Sequence, residues 1–293
     1  MLKILSLWWR AIRPHTLTAS VAPVFLGTAM AYGDGAVHWP SAVLALICAL
    51  FIQIGTNLSN DYFDLKSGVD TKERRGPLSV TLLGLILPQH VKWGFILCFS
   101  LAGFFAAFLL ARGGWPVLII GMTSILSGIF YTAGPKPLSH LGLGDIFVLI
   151  FFGPVAVGGT YYVQSLGCNA AVVLMGFACG LFSTAILIVN NLRDIATDKT
   201  AGKMTLAVRF GANFTRIEYL TCLLAACAVP LLVYLITGHS PWIMIASGII
   251  FLCVPLIRTV FTSDSSQRLN QTLALTGIVL SLFCILFSIG WIL

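Results

Sequence analysis

Two polar stretches interrupt an otherwise apolar chain, and both are built from oxygen donors: Asn57-Leu-Ser-Asn60-Asp61-Tyr-Phe-Asp64 and Asn190-Asn191-Leu-Arg193-Asp194-Ile-Ala-Thr-Asp198. Each closes a long apolar run. At helical spacing Asn57, Asp61 and Asp64 share one stripe and Asn190, Asp194 and Asp198 share another, so each helix end presents a carboxylate face. Carboxylates that face one another a few ångströms apart repel strongly even at moderate dielectric, so something cationic must sit between them. An oxygen-only donor set suits Mg2+, which characteristically takes one or two carboxylates together with substrate phosphates and water. The surrounding cations, Lys66, Lys72, Arg74, Arg75, Lys136, Arg193, Lys199 and Lys203, suit an anionic phosphate. With the apolar interior beyond them, these residues point to a lipid-tailed diphosphate.

The elements that must hold these residues are membrane helices. The 293 residues are 58% hydrophobic and 9% charged, with a mean hydropathy of +0.96, which excludes an ordinary soluble core. A helix needs roughly 20 apolar residues to cross about 30 Å of hydrocarbon. Nine runs qualify, at about 16–33, 41–60, 91–111, 115–133, 145–163, 170–190, 218–237, 241–261 and 272–292. The short alternating segments of a closed β-barrel are absent. The expected fold is therefore an all-α, multi-pass membrane helix bundle of about nine transmembrane helices, in one domain over residues 1–293. Residues Leu5 to Ile12, with Trp8 and Trp9, form an interfacial helix rather than a cleaved signal. The eight cysteines include no CxxC pair, and seven lie in apolar runs, where they act as small hydrophobes.

Charge sets the expected orientation. With nine spans, 16 of the 17 basic residues fall on the side of the two carboxylate faces, and Arg112 alone falls opposite. The basic side is cytoplasmic, so both faces open to the cytoplasm, with the N-terminus inside and the C-terminus outside. The net charge of +7 is chiefly this topology signal, with attraction to anionic membrane lipid secondary. Nothing in the pattern suggests nucleic-acid binding. The loops at about 62–90 and 192–216 are the longest, and both open on Asn-x-x-x-Asp, a weak hint of duplication.

Four ordered segments then carry a family resemblance that runs nearly end to end. They are Arg13-Pro-His-Thr-Leu-Thr-Ala, Asn60-Asp61-Tyr-Phe-Asp64-Leu-Lys-Ser-Gly68-Val-Asp70-Thr-Lys-Glu-Arg-Arg-Gly76-Pro77, Tyr131-Thr-Ala-Gly-Pro135-Lys136-Pro137-Leu-Ser-His-Leu-Gly-Leu-Gly144-Asp145, and the stretch from Asn190 to Gly211. The chain resembles the UbiA superfamily of intramembrane aromatic prenyltransferases. The Gly68-Val-Asp70-Thr and Gly-Leu-Gly-Asp segments tilt the resemblance to the branch acting on 1,4-dihydroxy-2-naphthoate in menaquinone synthesis, with a 4-hydroxybenzoate prenyltransferase as the nearest alternative.

The resemblance implies an enzyme of the cell (inner) membrane whose partners are a polyprenyl diphosphate, 1,4-dihydroxy-2-naphthoate and membrane lipid. It implies Mg2+ held by Asp61, Asp64, Asp70, Asp194 and Asp198, with Asn57, Asn60, Asn190 and Asn191 completing or orienting the coordination. Lys136 and Lys203 become diphosphate contacts, with Arg193 and Tyr131 beside the substrate and Asp145 placing the acceptor. Asp64, Asp194, Lys136 and Asp145 are the expected catalytic residues. Two departures from the family pattern are Met204, where relatives often carry Arg, and Asp145, where they commonly carry Glu. Blander roles compete at some positions: Asp145 as a helix cap, Tyr131 as an interfacial belt residue, His140 as a loop residue, and Glu73, Arg74 and Arg75 as a solvated loop. An ion-coupled transporter would keep its carboxylates nearer the bilayer midplane. A CDP-alcohol phosphotransferase would need a contiguous Asp-rich signature that is missing.

Overall fold

A chain this apolar must satisfy its backbone within itself, and helices do so segment by segment. The computed structural model describes residues 2–69 and 76–293, and among them there is no strand. The helices are α1 (Leu2–Ile12), α2 (Pro14–Gly33), α3 (Trp39–Ser67), α4 (Pro88–Gly113), α5 (Trp115–Phe130), α6 (Gly144–Ile150), α7 (Ala156–Ser165), α8 (Ala170–Thr200), α9 (Leu206–Thr237), α10 (Ile250–Thr262) and α11 (Ser266–Ile292). A 3-10 segment, Pro241–Ile249, leads into α10, and a short one, Leu138–Leu141, precedes α6.

Helices occupy all nine expected stretches. Among the described residues seven of them are long and apolar enough to cross a membrane; Trp115–Phe130 is shorter, and Pro14–Gly33 is not among the seven. The N-terminal third of α2, with His15, Thr16, Thr18 and Ser20, dilutes its apolar character. Local chemistry sets the ends: Pro14, Pro40, Pro88, Pro116 and Pro241 lie in first turns, where a missing N–H costs nothing. The Asn169 and Thr205 side chains cap α8 and α9 by accepting from Val172 and Val208.

The largest departures from the expected boundaries fall at the polar stretches. The span expected to end near 60 continues to Ser67, and the one expected to end near 190 continues to Thr200. The ten further residues of α8 carry it about 15 Å beyond the expected end. The expected loop at 192–216 shrinks to residues 201–205, because α9 begins at Leu206 and turns at Gly211, whose φ of 82° suits glycine. Both carboxylate stripes therefore stand on regular helix.

The expected span at 145–163 is broken. Between α6 and α7 the residues Phe151–Val155 form a wide turn in which Pro154 offers no N–H and Gly153 leaves helical geometry. The break packs on two glycines of α8: a Cβ on Gly176 would lie 2.7 Å from Pro154 Cα, and one on Gly180 would collide with the Leu149 carbonyl.

The main core surrounds α8, where Met175, Ala178, Cys179, Phe182, Ala185 and Val189 have no exposed surface and Ile188 has almost none. A second cluster seats α1: Leu7, Trp8 and Ala11 pack on Leu58, Val91 and Phe95, while Ile4, Leu5 and Trp9 face outward. This amphipathic arrangement is that of an interfacial helix. At the opposite end Asp34 accepts from Tyr161 Oη at 2.5 Å and Trp291 Nε1 at 2.9 Å, tying α2 to α7 and α11. Arg112, the lone basic residue there, donates to the Val163 and Gln164 carbonyls at 3.0 and 2.9 Å, so the C-terminal end of α7 absorbs its charge. All eight cysteines are free.

Candidate active site

The two polar stretches meet at one end of a cavity of about 930 Å³. Asn57, Asn60, Asp61 and Asp64 from α3 line it, as do Asn190, Asn191 and Arg193 from α8, together with Tyr131 and Lys203. Away from that end the wall becomes apolar, with Ala45, Cys48, Ala102, Ala106, Val117 and Phe151. A polar mouth on an apolar trough is the shape an amphiphile with a charged head and a long hydrocarbon tail requires.

Each carboxylate stretch meets cations of the chain itself: Arg13 pairs with Asp61, Arg193 with Asp194, and Lys203 with Asp198 at 3.8 Å. Among the described residues no three His, Cys, Asp or Glu side chains converge as a metal cage. Asp61, itself buried, and Asp64 line the cavity, whereas the buried Asp194 and Asp198 do not. Asp70, Lys72, Glu73, Arg74 and Arg75 lie outside the described residues. The donors at the mouth still fit a hard divalent cation, because the carboxylate and amide oxygens of α3 and α8 are the ligand type Mg2+ selects.

Arg193 is the hub of the second stretch. Its Nε donates to Asp194 Oδ1 at 2.8 Å and its Nη2 to Asn190 Oδ1 at 2.7 Å, while Nη1 reaches Asn270 at the start of α11. Only 3% of its surface is exposed, and Gly76 lies against the guanidinium so closely that a Cβ there would sit 2.5 Å from Nη2. Arg193 thus fixes Asp194 and Asn190 as one unit. Asn57 is also a positioning group: its Nδ2 donates to the Ile12 carbonyl and to Thr16 Oγ1, both at 2.9 Å. Asn60 accepts from Thr132 Oγ1 at 2.8 Å, joining α3 to the end of α5.

Lys203 reaches the cavity wall, and Lys136 does not: it is exposed on the loop after α5. Lys66 and Lys199 are likewise exposed and away from the cavity wall. Arg209 clips the two loops together by donating to the Met204 and Leu141 carbonyls, each at 3.0 Å. Met204 itself is exposed. Burial, and then the charge of Lys203, lower the pKa of His140, which disfavours a positive charge on this loop imidazole. Asp145 stands in the first turn of α6, buried beside Tyr131, Asn191, Lys203 and Ser139, and the N-cap residue Leu143 makes no side-chain cap. Its Oδ1 has no hydrogen-bond partner among the described residues. Tyr131 bridges the two spaces, lining both the large cavity and this small pocket.

Sequence reasoning assigned no role to Arg13, Thr16, Gln53 or Asn270, all of which line the cavity. Arg13 stands just before the first expected span and Thr16 at its first residue, Gln53 lies inside the second, and Asn270 precedes the last. A polar residue at the entry to an apolar run was the available signal for Arg13, Thr16 and Asn270, and a lone amide within a run the signal for Gln53.

Comparisons with known proteins bear on the family and the fold. The family model described as the UbiA prenyltransferase family matches residues 20–284. A 1,4-dihydroxy-2-naphthoate octaprenyltransferase of Haemophilus influenzae is 36% identical over 98% of this chain and 96% of its own length. The Escherichia coli protein of the same name is 40% identical over 80% of this chain and 78% of its own. Among solved structures, a UbiA homolog from Archaeoglobus fulgidus bound to GPP and Mg2+ superposes with a TM-score of 0.68 over 98% of this chain and 99% of its own, at 18% identity.

Proposed function

The chain belongs to the UbiA prenyltransferase family, and from that premise we propose that it transfers a polyprenyl group from its diphosphate to 1,4-dihydroxy-2-naphthoate, with loss of carbon dioxide, giving demethylmenaquinol. The names of relatives that align over most of their length support the acceptor. The observation that carries the reading is the cavity itself, which joins an oxygen-rich and basic mouth to an apolar trough.

Asp61, Asp64 and Asp70, with Asp194 and Asp198, are the carboxylates that would hold Mg2+, and Asn60, Asn190 and Asn191 the amides that would orient it. When bound, the ion would neutralise the diphosphate and aid its departure. Lys203 at the cavity wall bonds the departing diphosphate, and Lys136 adds positive charge from the adjoining loop. Arg193 holds Asn190 and Asp194 in place before substrate arrives. The apolar trough excludes water, so the allylic cation left by the diphosphate is attacked by an aromatic carbon rather than hydrolysed. Asp145 and Tyr131 orient the acceptor's hydroxyl groups from beneath the mouth.

Attack by the ring carbon that bears the carboxylate creates an sp3 centre, and loss of carbon dioxide restores aromaticity. The protein is an integral membrane protein, and the distribution of its basic residues supports nine crossings in the cell (inner) membrane with the mouth toward the cytoplasm. The test is to supply carboxyl-labelled naphthoate and labelled 4-hydroxybenzoate separately with Mg2+ and a prenyl diphosphate. The expected result is labelled carbon dioxide in one-to-one ratio with diphosphate from naphthoate alone. Label retained in a prenylated hydroxybenzoate, with naphthoate inert, would overturn the acceptor.

A further inference from the structure

Arg13 joins α1 to α2 in a left-handed backbone conformation, φ 52° and ψ 71°. Such a conformation is costly for a residue with a side chain, and among the described residues Leu166 is the other non-glycine residue with positive φ. The junction is fixed from several sides. Asn57 donates to the carbonyl of Ile12, and the Thr16 N–H and hydroxyl both donate to the carbonyl of Arg13 at 2.9 Å. A turn alone would be served better by glycine. What the strained geometry preserves is a guanidinium at the cavity mouth, bonded to Asp61 of the first polar stretch.

The two arginines of the site differ in how they are used. Arg193 spends its donors on Asp194, Asn190 and Asn270. Arg13 makes one side-chain hydrogen bond among the described residues, to Asp61, and its side chain is 25% exposed where it lines the cavity. A guanidinium carries five N–H donors in a planar fork suited to phosphate oxygens. Arg13 therefore has donors to spare at the place where Asp61, a candidate metal ligand, is held neutralised.

We propose that Arg13 is a diphosphate-binding residue that also holds Asp61 until substrate arrives. Binding releases Asp61 to the divalent cation, and the guanidinium takes the diphosphate oxygens from its fixed position. This assignment rests on the prenyl diphosphate reading above and makes a claim that reading does not: Arg13 competes with a cation for Asp61 and assists the anion. The two effects have opposite signs, which a purely structural ion pair cannot produce.

The experiment is calorimetric titration of the full-length protein in detergent, wild type, Arg13→Gly and Arg13→Lys, first with Mg2+ alone and then with inorganic pyrophosphate in saturating Mg2+. Melting temperatures are recorded alongside. Arg13→Gly, which also relieves the backbone strain, is expected to bind Mg2+ at least as tightly as wild type and pyrophosphate about 10- to 100-fold more weakly. Arg13→Lys keeps the charge and loses the fork, so its pyrophosphate affinity falls by about 3- to 10-fold at an unchanged melting temperature; this arm decides if the glycine variant does not fold. Wild-type pyrophosphate affinity in both variants overturns the assignment, as does joint weakening of Mg2+ and pyrophosphate with a lowered melting temperature. A wild-type protein that binds no pyrophosphate would instead defeat the prenyl diphosphate reading, and this inference with it.

Discussion

The two carboxylate stretches look interchangeable as strings of residues, yet they are built differently. On α3, Asp61 and Asp64 line the cavity, and Asp61 meets an arginine brought in from a strained junction. On α8, Asp194 and Asp198 are buried and do not line the cavity, and Asp194 is held by its own neighbour Arg193, which Asn190 and Asn270 hold in turn. One side opens on the cavity, and the other is tied into a hydrogen-bonded frame. The difference teaches that two similar strings can supply a rigid wall and a wall facing the cavity, and that contact with the cavity, not burial, tells them apart, since Asp61 is as buried as Asp194.

The sharpest way to break this comparison is to remove divalent cations. A chelator in excess should abolish turnover and leave the melting temperature unchanged, because Arg13, Arg193 and Lys203 already neutralise the described carboxylates they meet. A chelator-induced drop in melting temperature would show that the cation belongs to the framework. Next in size is Arg193→Met, which strands Asp194 in a buried position and should cost about 3–5 kcal/mol of stability. Adding Asp194→Leu should recover most of that melting loss without restoring activity. If the single variant melts like wild type, the α8 stretch is not the frame.

At the mouth, Lys203→Met should cost about 2–4 kcal/mol of transition-state stabilisation, roughly a hundred- to a thousandfold in rate, and less stability than Arg193→Met, because its pair with Asp198 is longer, at 3.8 Å. Lys136→Met, at an exposed position away from the cavity wall, should lose only about tenfold in rate. Equal losses from the two, read by steady-state kinetics, would place Lys136 on the diphosphate as closely as Lys203. The smallest effect is expected remote from the site: Arg216 bonds Asp264 at 2.8 Å, but Asp264 is 86% exposed, so Asp264→Asn should change stability by less than about 1 kcal/mol.

Much of this was legible in the chain. Long apolar runs fix helices because lipid permits little else, and the stripe spacing of Asp61 and Asp64 and of Asp194 and Asp198 was readable from the period of a helix. Three features were not. The helices run on through the polar stretches to Ser67 and Thr200, since a boundary drawn by hydropathy stops where polarity starts although the hydrogen-bond ladder does not. The break at Gly153-Pro154 depends on Gly176 and Gly180 in a different helix, a pairing no local pattern reveals. The neutralisation of Asp61 by Arg13 joins residues 48 apart, and only the fold places them together.

The most direct measurement of the central claim, that the carboxylates of the α3 stretch face the cavity and those of the α8 stretch belong to the rigid frame, is to follow diphosphate release and thermal melting together in Asp64→Asn and Asp194→Asn. Both variants should lose turnover, by at least about a hundredfold. Asp64→Asn should melt with the wild type, whereas Asp194→Asn, which leaves Arg193 buried against a neutral partner, should melt several degrees lower. Turnover at the wild-type rate in either variant, or identical melting temperatures in the two, would contradict the account.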